Sequence, residues 1–374
     1  MMGKNGGCGW GLASSGGFAQ ASPLVQRHSR RSSKSLCIAA GVAVSALTGL
    51  GLASSATAQS VSFNDTFGSS SLNSASQSYP NTATPTSTST NYDIASSKTG
   101  TSSIASGDLK LGLSSATTSG FFEAQALFST DPTPFSLANT GDTLEYDVTF
   151  KDTSNVLAGG TSSAIYIGLY NSGGSAPYNT LASSGLSTTT GSTYSTGGTA
   201  GWVGYIGRFA QSGGTNEIYT RPAQTSGTAS NNQDLIGNNF GSGAYPTTGT
   251  TLSPQPSSTI TLTGGQTYTA DMLISYLGSG LISISETLYN GSGTGGGAVQ
   301  STLAVASTTA VTTSFDGLAF GVRNSGTSLE PVADISDISV VYTPATAMPE
   351  PTGLGLISLG AGLGIMRRRR RGKA

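Results

Sequence analysis

The amino-acid sequence predicts an all-β protein: a single antiparallel, jelly-roll-like β-sandwich between a cleavable N-terminal signal helix and a short C-terminal transmembrane helix. Glycine accounts for 53 of 374 residues and only 36 % of the residues are hydrophobic, so apolar side chains fall in short, separated clusters. After Val61, no segment keeps apolar residues at positions i, i+3, i+4 and i+7 over the roughly ten residues that a helix needs. Alternation of apolar and polar residues recurs instead, which favours strands.

The first element is an N-terminal secretory signal peptide. Residues 27–34 are basic, residues 36–52 are apolar, and the small residues Ala56 and Ala58 precede Gln59. A basic segment, a short apolar segment and an A-x-A site are the three parts of such a signal. We therefore expect cleavage after Ala58 and export through the Sec translocon, with twin-arginine export as the alternative because the basic segment contains an arginine pair.

The middle of the chain, residues 59–343, is predicted to form the sandwich domain. Residues 143–150 alternate between an apolar and a polar side, as a half-buried antiparallel strand does. Residues 267–276 and 281–289 repeat the alternation on either side of a turn and predict a hairpin. Residues 68–90 form a low-complexity loop, and no fixed repeat period supports the competing β-solenoid. Further strands are predicted near residues 109–113, 120–128, 164–170, 202–209, 216–220, 259–263, 302–306, 314–322 and 334–342.

The last element, residues 344–374, has three parts. Pro349, Glu350 and Pro351 precede an apolar stretch at residues 352–366, and an arginine cluster follows. The stretch would span about 22 Å as a helix, against about 30 Å for the hydrocarbon core of a bilayer. It therefore predicts a marginal membrane anchor with the arginines on the cytoplasmic side. The cluster consists of Arg367, Arg368, Arg369, Arg370 and Arg371.

This order of elements resembles the PEP-CTERM sorting signal; the alternative is an ordinary weak transmembrane tail. Members of that family are exported by Gram-negative bacteria that make extracellular polysaccharide, and a membrane-embedded protease, the exosortase, processes their tails. The resemblance implies that the Pro-Glu-Pro tripeptide is the recognition motif and that the arginine cluster is the cytoplasmic stop. It also implies an intermediate anchored in the inner membrane, followed by delivery to the cell surface, outer membrane or extracellular matrix.

Charge and residue usage exclude several classes of function. All 18 acidic residues but only six of the 17 basic ones lie between Asp65 and Glu350, so this span has a formal charge of −12. Nucleic-acid binding requires a basic face and is not expected. His28, Cys8 and Cys37 are the only histidine and cysteines of the sequence, and all three precede the predicted cleavage site. The processed chain would therefore contain neither residue type. We therefore expect no His-dependent nucleophile, His-ligated zinc site or disulfide.

Five segments of the middle region occur in an order that resembles the concanavalin A-like lectin/glucanase jelly roll. They are FNDTF at 63–67, AIYIGLYNSGG at 164–174, WVGYIGRF at 202–209, FDGLAFGV at 315–322 and DISDISVVY at 334–342. The resemblance implies a sandwich that binds carbohydrate. In the glucanase branch it implies hydrolysis by carboxylates about 5–5.5 Å apart.

Glu145 and Asp147 are the first candidates for such a carboxylate pair, because alternation places both on one side of the strand at 143–150. The pattern is incomplete, since Thr149 and Phe150 follow where a further carboxylate is needed. We therefore expect a solvated outer face at this strand.

Glu286 shares the parity of Ile284 and Leu288 and would lie on the apolar face of its strand. A carboxylate buried there is costly and has a raised pKa. We expect instead that the strand bulges or ends by residue 286 and leaves this side chain in water.

Aromatic and acidic residues supply the candidates for ligand contacts. Trp202, the one tryptophan of the processed chain, is the first candidate for a sugar contact, with Tyr205 beside it; the alternative is that both belong to the core. Asp334 and Asp337 are candidate Ca²⁺ ligands, although no EF-hand-type loop is present and acids also keep an exported protein soluble. The expectation is no catalytic residue, no metal and no cofactor, with Ca²⁺ as the alternative.

Together these features predict a non-catalytic, exported surface or matrix protein that is structural or binds carbohydrate. Its expected partners are the Sec translocon, the exosortase, the inner membrane during sorting and extracellular polysaccharide. One alternative is an ice- or surface-binding adhesin, which would require a flat, ordered array of threonines. The other is a polysaccharide hydrolase on the same fold, for which the acids to test are Glu123, Glu145, Asp147, Glu217 and Glu286.

Overall fold

The computed structural model divides the chain into two compact units, Met1–Ser54 and Ser55–Ala374, and every residue described below belongs to the second. The signal peptide, most of the low-complexity loop and residues 346–374 of the C-terminal element lie outside the described residues. The described residues are 60–72, 90–96, 100–113, 120–129, 133–153, 164–175, 177, 198–210, 216–223, 235–236, 250–253, 260–295, 297–324 and 332–345.

The described residues form eighteen strands and one turn of 3₁₀ helix at Gly198–Gly201. The strands are β1 Val61–Asp65, β2 Ser71–Leu72, β3 Asn91–Ser96, β4 Gly100–Ala105, β5 Asp108–Leu113, β6 Gly120–Leu127, β7 Phe135–Ser136, β8 Thr143–Asp152, β9 Ala164–Asn171, β10 Val203–Ala210, β11 Glu217–Arg221, β12 Thr251–Ser253, β13 Thr267–Gly278, β14 Leu281–Asn290, β15 Ala298–Thr309, β16 Ser314–Phe315, β17 Gly317–Asn324 and β18 Val332–Thr343.

Two eight-stranded sheets make up the domain. The first sheet has the order β15-β14-β13-β8-β18-β5-β4, with β1 also paired to β18, and the second has the order β12-β11-β10-β9-β17-β6-β3-β2. A small pair of β7 and β16 lies outside both. All pairings are antiparallel except the two-residue contact of β2 with β3. The predicted all-β, antiparallel sandwich is confirmed.

The core lies between the two sheets and follows from alternation along the strands. In β8, Leu144, Tyr146, Val148 and Phe150 point inward and are at most 1 % exposed. The Tyr146 hydroxyl reaches across the sandwich and donates to the Ala319 carbonyl of β17 at 3.2 Å. Burial of these apolar side chains is the main favourable term in holding the sheets together.

A second apolar layer covers the outer face of the second sheet. Its buried members include Tyr166, Tyr170, Trp202 and the pair Leu235–Ile236. These rings need a flat surface, which glycine provides: a Cβ on Gly317 would lie 2.5 Å from the Trp202 ring. Gly168, Gly204, Gly317 and Gly321 therefore serve packing on the outer face, whereas Gly207 of β10 faces the core.

The structure corrects the predicted strand map at several places. Residues 259–263 form no strand among the described positions, since only a single bridge occurs at Ile260. The segment 314–322 is two strands, β16 and β17, rather than one. Strands β1, β2, β3, β4, β7 and β12 were not predicted, because they are short or rich in small polar residues, and β2 falls within the predicted low-complexity loop.

Candidate functional site

Three carboxylates from two adjacent strands meet on the outer face of the first sheet. Glu145 and Asp147 of β8 point outward because their neighbours in the strand, Leu144 and Tyr146, fill the core. Asp271 of β13 stands directly opposite Asp147 in the antiparallel register. One oxygen from each of the three carboxyl groups lies within 4.8 Å of the others. We call Glu145, Asp147 and Asp271 the acidic cluster.

The acidic cluster is partly withdrawn from water. Asp271 is only 6 % exposed, and the Oδ1 atoms of Asp147 and Asp271 are both inaccessible and without a hydrogen-bond partner. Burial, followed by the charge of Glu145, raises the pKa of Asp147 to about 7. Burial, followed by the charges of Asp147 and Glu145, raises the pKa of Asp271 to about 8. At neutral pH the cluster therefore favours a proton or another positive charge between its members.

Hydroxyl groups and a glycine turn close one side of the cluster. The Thr149 and Thr269 hydroxyls lie 3.1 Å apart on the same face, next to Asp147 and Asp271. Thr269 donates to the Gly291 carbonyl at 3.0 Å and accepts from the Gly293 amide at 2.8 Å. The turn after β14 is thus fixed against this part of the sheet, and it holds β13 in place beside the cluster.

The donor set suits a hard divalent cation. Carboxylate oxygens are the ligands that Ca²⁺ prefers, and three of them converge here. The inaccessible Oδ1 of Asp271, which has no other partner, is the observation that fits an ion. Among the described residues this is the one group of three acids close enough to share a metal.

Glu286 lies in the core, so the expectation that its strand bulges or ends by residue 286 is wrong. Strand β14 continues to Asn290, and Glu286 is 0 % exposed with no hydrogen bond of normal geometry to either carboxyl oxygen. It faces Gly207 of the second sheet, where a Cβ would lie 2.1 Å from Oε2. Burial raises the pKa of Glu286 well above its usual range, against a smaller lowering by the Arg208 backbone amide. A carboxyl group enclosed in this way cannot meet a polysaccharide.

Trp202 and Tyr205, the predicted sugar contacts, are both fully buried, so neither presents a ring face to a ligand. The Trp202 ring packs beside Tyr170, and its indole N–H donates to the Ser175 carbonyl at 2.8 Å. Tyr205 points into the core and donates to the Thr312 carbonyl at 3.1 Å. Both rings serve packing, which was the alternative reading of their Gly-rich surroundings.

Asp334 and Asp337, the predicted Ca²⁺ candidates, do not share a site with a third acid in the described part of the chain. Asp334 pairs with Lys110 at 3.6 Å. Asp337 follows a bulge in β18, and its pKa is raised by burial and then by the charge of Asp65.

Glu123 and Glu217, two further acids named as candidates in the hydrolase hypothesis, are held by hydrogen bonds within the fold. The Glu123 carboxylate accepts the backbone amides of Leu235 and Ile236, each at 3.0 Å. Glu217 accepts from Arg208 at 3.0 Å across β10 and β11. Both therefore secure the outer face of the second sheet.

Asp271, the third member of the acidic cluster, was not among the residues predicted from the sequence. Its strand was predicted, and alternation already placed Asp271 on the polar side together with Thr269. What alternation cannot give is the pairing of β13 with β8, whose residues are more than a hundred positions apart. The sorting residues, including Pro349 and Glu350, lie outside the described residues.

No family model and no curated protein matches the chain. Among solved structures it is similar to peanut lectin, at 15 % identity and a TM-score of 0.34, over 76 % of this chain and 98 % of the lectin. It is also similar to lectin II from Ulex europaeus, at 12 % identity and a TM-score of 0.34, over 75 % and 98 % of the two chains. A protein of unknown function from Shewanella oneidensis MR-1 matches at 15 % identity and a TM-score of 0.32, over 85 % and 100 %. The sandwich assignment itself rests on the strand order and burial of this chain.

Proposed function

We propose that this protein is exported to the cell surface or extracellular matrix and binds polysaccharide, without catalysis, at the acidic cluster on the outer face of the first sheet. The observation that carries the proposal is the convergence of Glu145, Asp147 and Asp271 on a face that also carries the Thr149–Thr269 hydroxyl pair. Ionised carboxylates accept hydrogen bonds from sugar hydroxyls, and serine and threonine can both donate and accept.

The accessible part of the cluster supports contact with a polymer. Glu145 and Asp147 are partly exposed, whereas Asp271 lies behind them. Ser339 stands beside Asp147 on β18, and Ser285 of β14 stands beside Leu273 of β13. A charged centre on the face of a sheet, with hydroxyl side chains beside it, suits an extended glycan more than a small ligand, which usually occupies a concave pocket.

A divalent cation would fit between the inaccessible oxygens of Asp147 and Asp271, with Glu145 as the third ligand. When bound, such an ion would neutralise the cluster and offer coordination positions to sugar hydroxyls. The three side chains would hold the ion, and the Thr149–Thr269 pair would keep β8 and β13 in register beside it.

A polysaccharide hydrolase is the second candidate, favoured by the raised pKa values of Asp147 and Asp271. A general acid near neutral pH is what glycoside hydrolysis requires. However, Asp271 is only 6 % exposed, and an acid has to reach the glycosidic oxygen to protonate it. The burial of Asp271 therefore favours binding over hydrolysis.

Export and sorting are proposed from the two ends of the sequence. The first strand begins at Val61, just after the expected cleavage at Ala58, and the last strand ends at Thr343, before Pro349. The sandwich thus fits between the two processing signals. No helix among the described residues is long and apolar enough to cross a membrane, and the predicted anchor at 352–366 lies outside them.

The test uses the processed protein and the extracellular polysaccharide of the host, and it scores both retention on the polymer and new reducing ends. We expect retention without new ends, lost in Asp271→Asn and Glu145→Gln. Asp108→Asn removes one charge from β5, away from the cluster, and is the matched control. A chelator that abolishes retention would support the cation. New reducing ends that disappear in Asp271→Asn would replace this proposal with the hydrolase, and no retention would refute binding.

A further inference from the structure

Large apolar side chains are exposed at few positions in the described part of the chain, and these positions are not scattered. Five such residues are between 38 % and 58 % exposed: Val61, Leu277, Leu281, Val299 and Val311. Single exposed apolar residues are ordinary on a protein surface, whereas a group of them marks a contact surface. Their distribution over the first sheet is therefore informative.

The strand register places four of the five at one end of the first sheet. Leu281 stands opposite Gly278 on one side and Thr309 on the other, so the β13–β14 turn lies beside the end of β15. Leu277 is the second-last residue of β13, at the register shift beside that turn, and Val311 comes two residues after Thr309.

Val61 belongs to the same end, because it stands opposite Tyr342 near the end of β18. Val299 stands opposite Tyr289, close to the far ends of β14 and β15. We call the end that carries Val61, Leu277, Leu281 and Val311 the exit end.

The chain leaves the sandwich at the exit end. Ala345, the last described residue, donates its amide to Asp142 Oδ1 at 2.7 Å. The Tyr276 amide in turn donates to the Asp142 carbonyl at 2.9 Å, next to Leu277. The start of the C-terminal segment is thus fixed beside the apolar turn.

Several charged side chains of the first sheet lie towards the end opposite the exit end. Lys110 pairs with Asp334, and Asp334 stands opposite Lys151, all towards the end away from the exit. At the exit end, Asp142 is 0 % exposed and is engaged by backbone amides. Among the described residues, the exit end therefore exposes mainly apolar and small polar side chains, and Glu145 of the acidic cluster lies two residues inward from Thr143 at this end.

We propose that the exit end is a membrane-contacting surface, on which the sandwich rests against the outer leaflet of the inner membrane while its tail is anchored. This inference depends on the proposed anchoring of residues 352–366. Six residues lie between Ala345 and the start of that stretch at residue 352, so the seven steps of the tether span about 25 Å at most when fully extended. Exposed leucine and valine beside such a short tether meet the interface, where apolar side chains are stabilised and nearby charges would oppose contact.

The test exploits the absence of cysteine after Cys37, which allows a single label at any chosen position of the processed chain. Leu281→Cys, Val311→Cys and the control Val299→Cys are each labelled with an environment-sensitive fluorophore. Each full processed chain, tail included, is reconstituted in phosphatidylethanolamine/phosphatidylglycerol vesicles that contain nitroxide-labelled lipid. All three positions are exposed, so neither the substitution nor the label disturbs the core.

We expect the chain to float with the vesicles and the nitroxide lipids to quench the labels at 281 and 311 but not at 299. Flotation with equal, weak quenching at all three positions would overturn the contact while leaving the anchored tail intact. Failure to float would overturn the anchoring, and the membrane-contacting surface with it. Loss of quenching at 311 in Leu277→Ser/Leu281→Ser, with flotation unchanged, would assign the contact to these leucines.

Discussion

Replacing Glu286 by glutamine should change how the stability of the protein depends on pH. Glu286 is 0 % exposed, neither of its carboxyl oxygens has a hydrogen bond of normal geometry, and Gly207 of the opposite sheet leaves just enough space for the carboxyl group. Burial raises the pKa of Glu286 well above its usual range. The folded protein therefore holds the neutral acid under conditions in which the unfolded chain has released the proton.

The sign and size of the effect follow from proton linkage. Since the folded state binds one more proton than the unfolded state, the free energy of unfolding falls as pH rises above the unfolded pKa of about 4.3. The slope is about 1.4 kcal/mol per pH unit, and it continues until the pH reaches the raised folded pKa. The Glu286→Gln chain lacks this contribution, so its stability relative to the wild type should rise by about 1.4 kcal/mol for each pH unit in that window.

Urea unfolding at a series of pH values, followed by tryptophan fluorescence, measures this difference. Trp202 is the one tryptophan of the processed chain and is fully buried, so its emission reports loss of the fold. Asp108→Asn serves as the control, since it removes a carboxyl group that lies outside the core. Parallel pH profiles for the wild type and Glu286→Gln would refute the argument, because they would mean that Glu286 is ionised in the folded state.

Three further outcomes follow from the geometry. Gly317→Ala places a Cβ 2.5 Å from the Trp202 ring, so we expect a loss of about 1–3 kcal/mol in urea unfolding; an unchanged midpoint would mean that the ring moves freely. Burial opposes ionisation of Asp142, but amides including that of Ala345 lower its pKa overall, so Asp142→Asn should cost about 1–3 kcal/mol at neutral pH. That cost should shrink as pH falls through the lowered pKa, and a pH-independent cost would contradict the assignment. Asp271, whose pKa is raised to about 8, contributes stability that is lost as pH rises from about 4 towards 8, so Asp271→Asn should flatten the stability profile over that range.

Sequence pattern predicted those parts of the fold in which one face of a strand is apolar and the other is polar. The bounds of strand β8 were predicted to within two residues because apolar and polar residues alternate without interruption from Leu144 to Phe150. The bounds of the two strands in the β13–β14 hairpin were predicted equally closely. Strands such as β4, with the sequence GTSSIA, have no apolar face of their own and are held by pairing to β5. Their position depends on tertiary contacts, which local alternation does not contain.

Only part of the candidate site was predicted, because local alternation gives the face of a residue but not the strand that pairs with it. Glu145 and Asp147 share a face by local parity, whereas Asp271 joins them through a pairing that only the folded sheet defines. The sequence left open whether Trp202 contacts a sugar or belongs to the core, because an aromatic residue among glycines looks alike whether its face is open or covered. For Glu286, parity gave the correct face, and the usual cost of a buried carboxylate wrongly argued against it.

Glu286 and the acidic cluster differ in what can offset the free-energy cost of burying their carboxyl groups. Glu286 is enclosed between the sheets, so a proton is the one positive charge that reaches it without opening the sandwich. The acidic cluster is open at Glu145 and Asp147, so an external cation can neutralise it as well. A ligand that binds the folded state alone stabilises it in proportion to the logarithm of its concentration. A Ca²⁺-dependent rise in stability that persists in Glu286→Gln but disappears in Asp271→Asn would therefore place the ion at the cluster, whereas a rise that survives both substitutions would exclude it from that face.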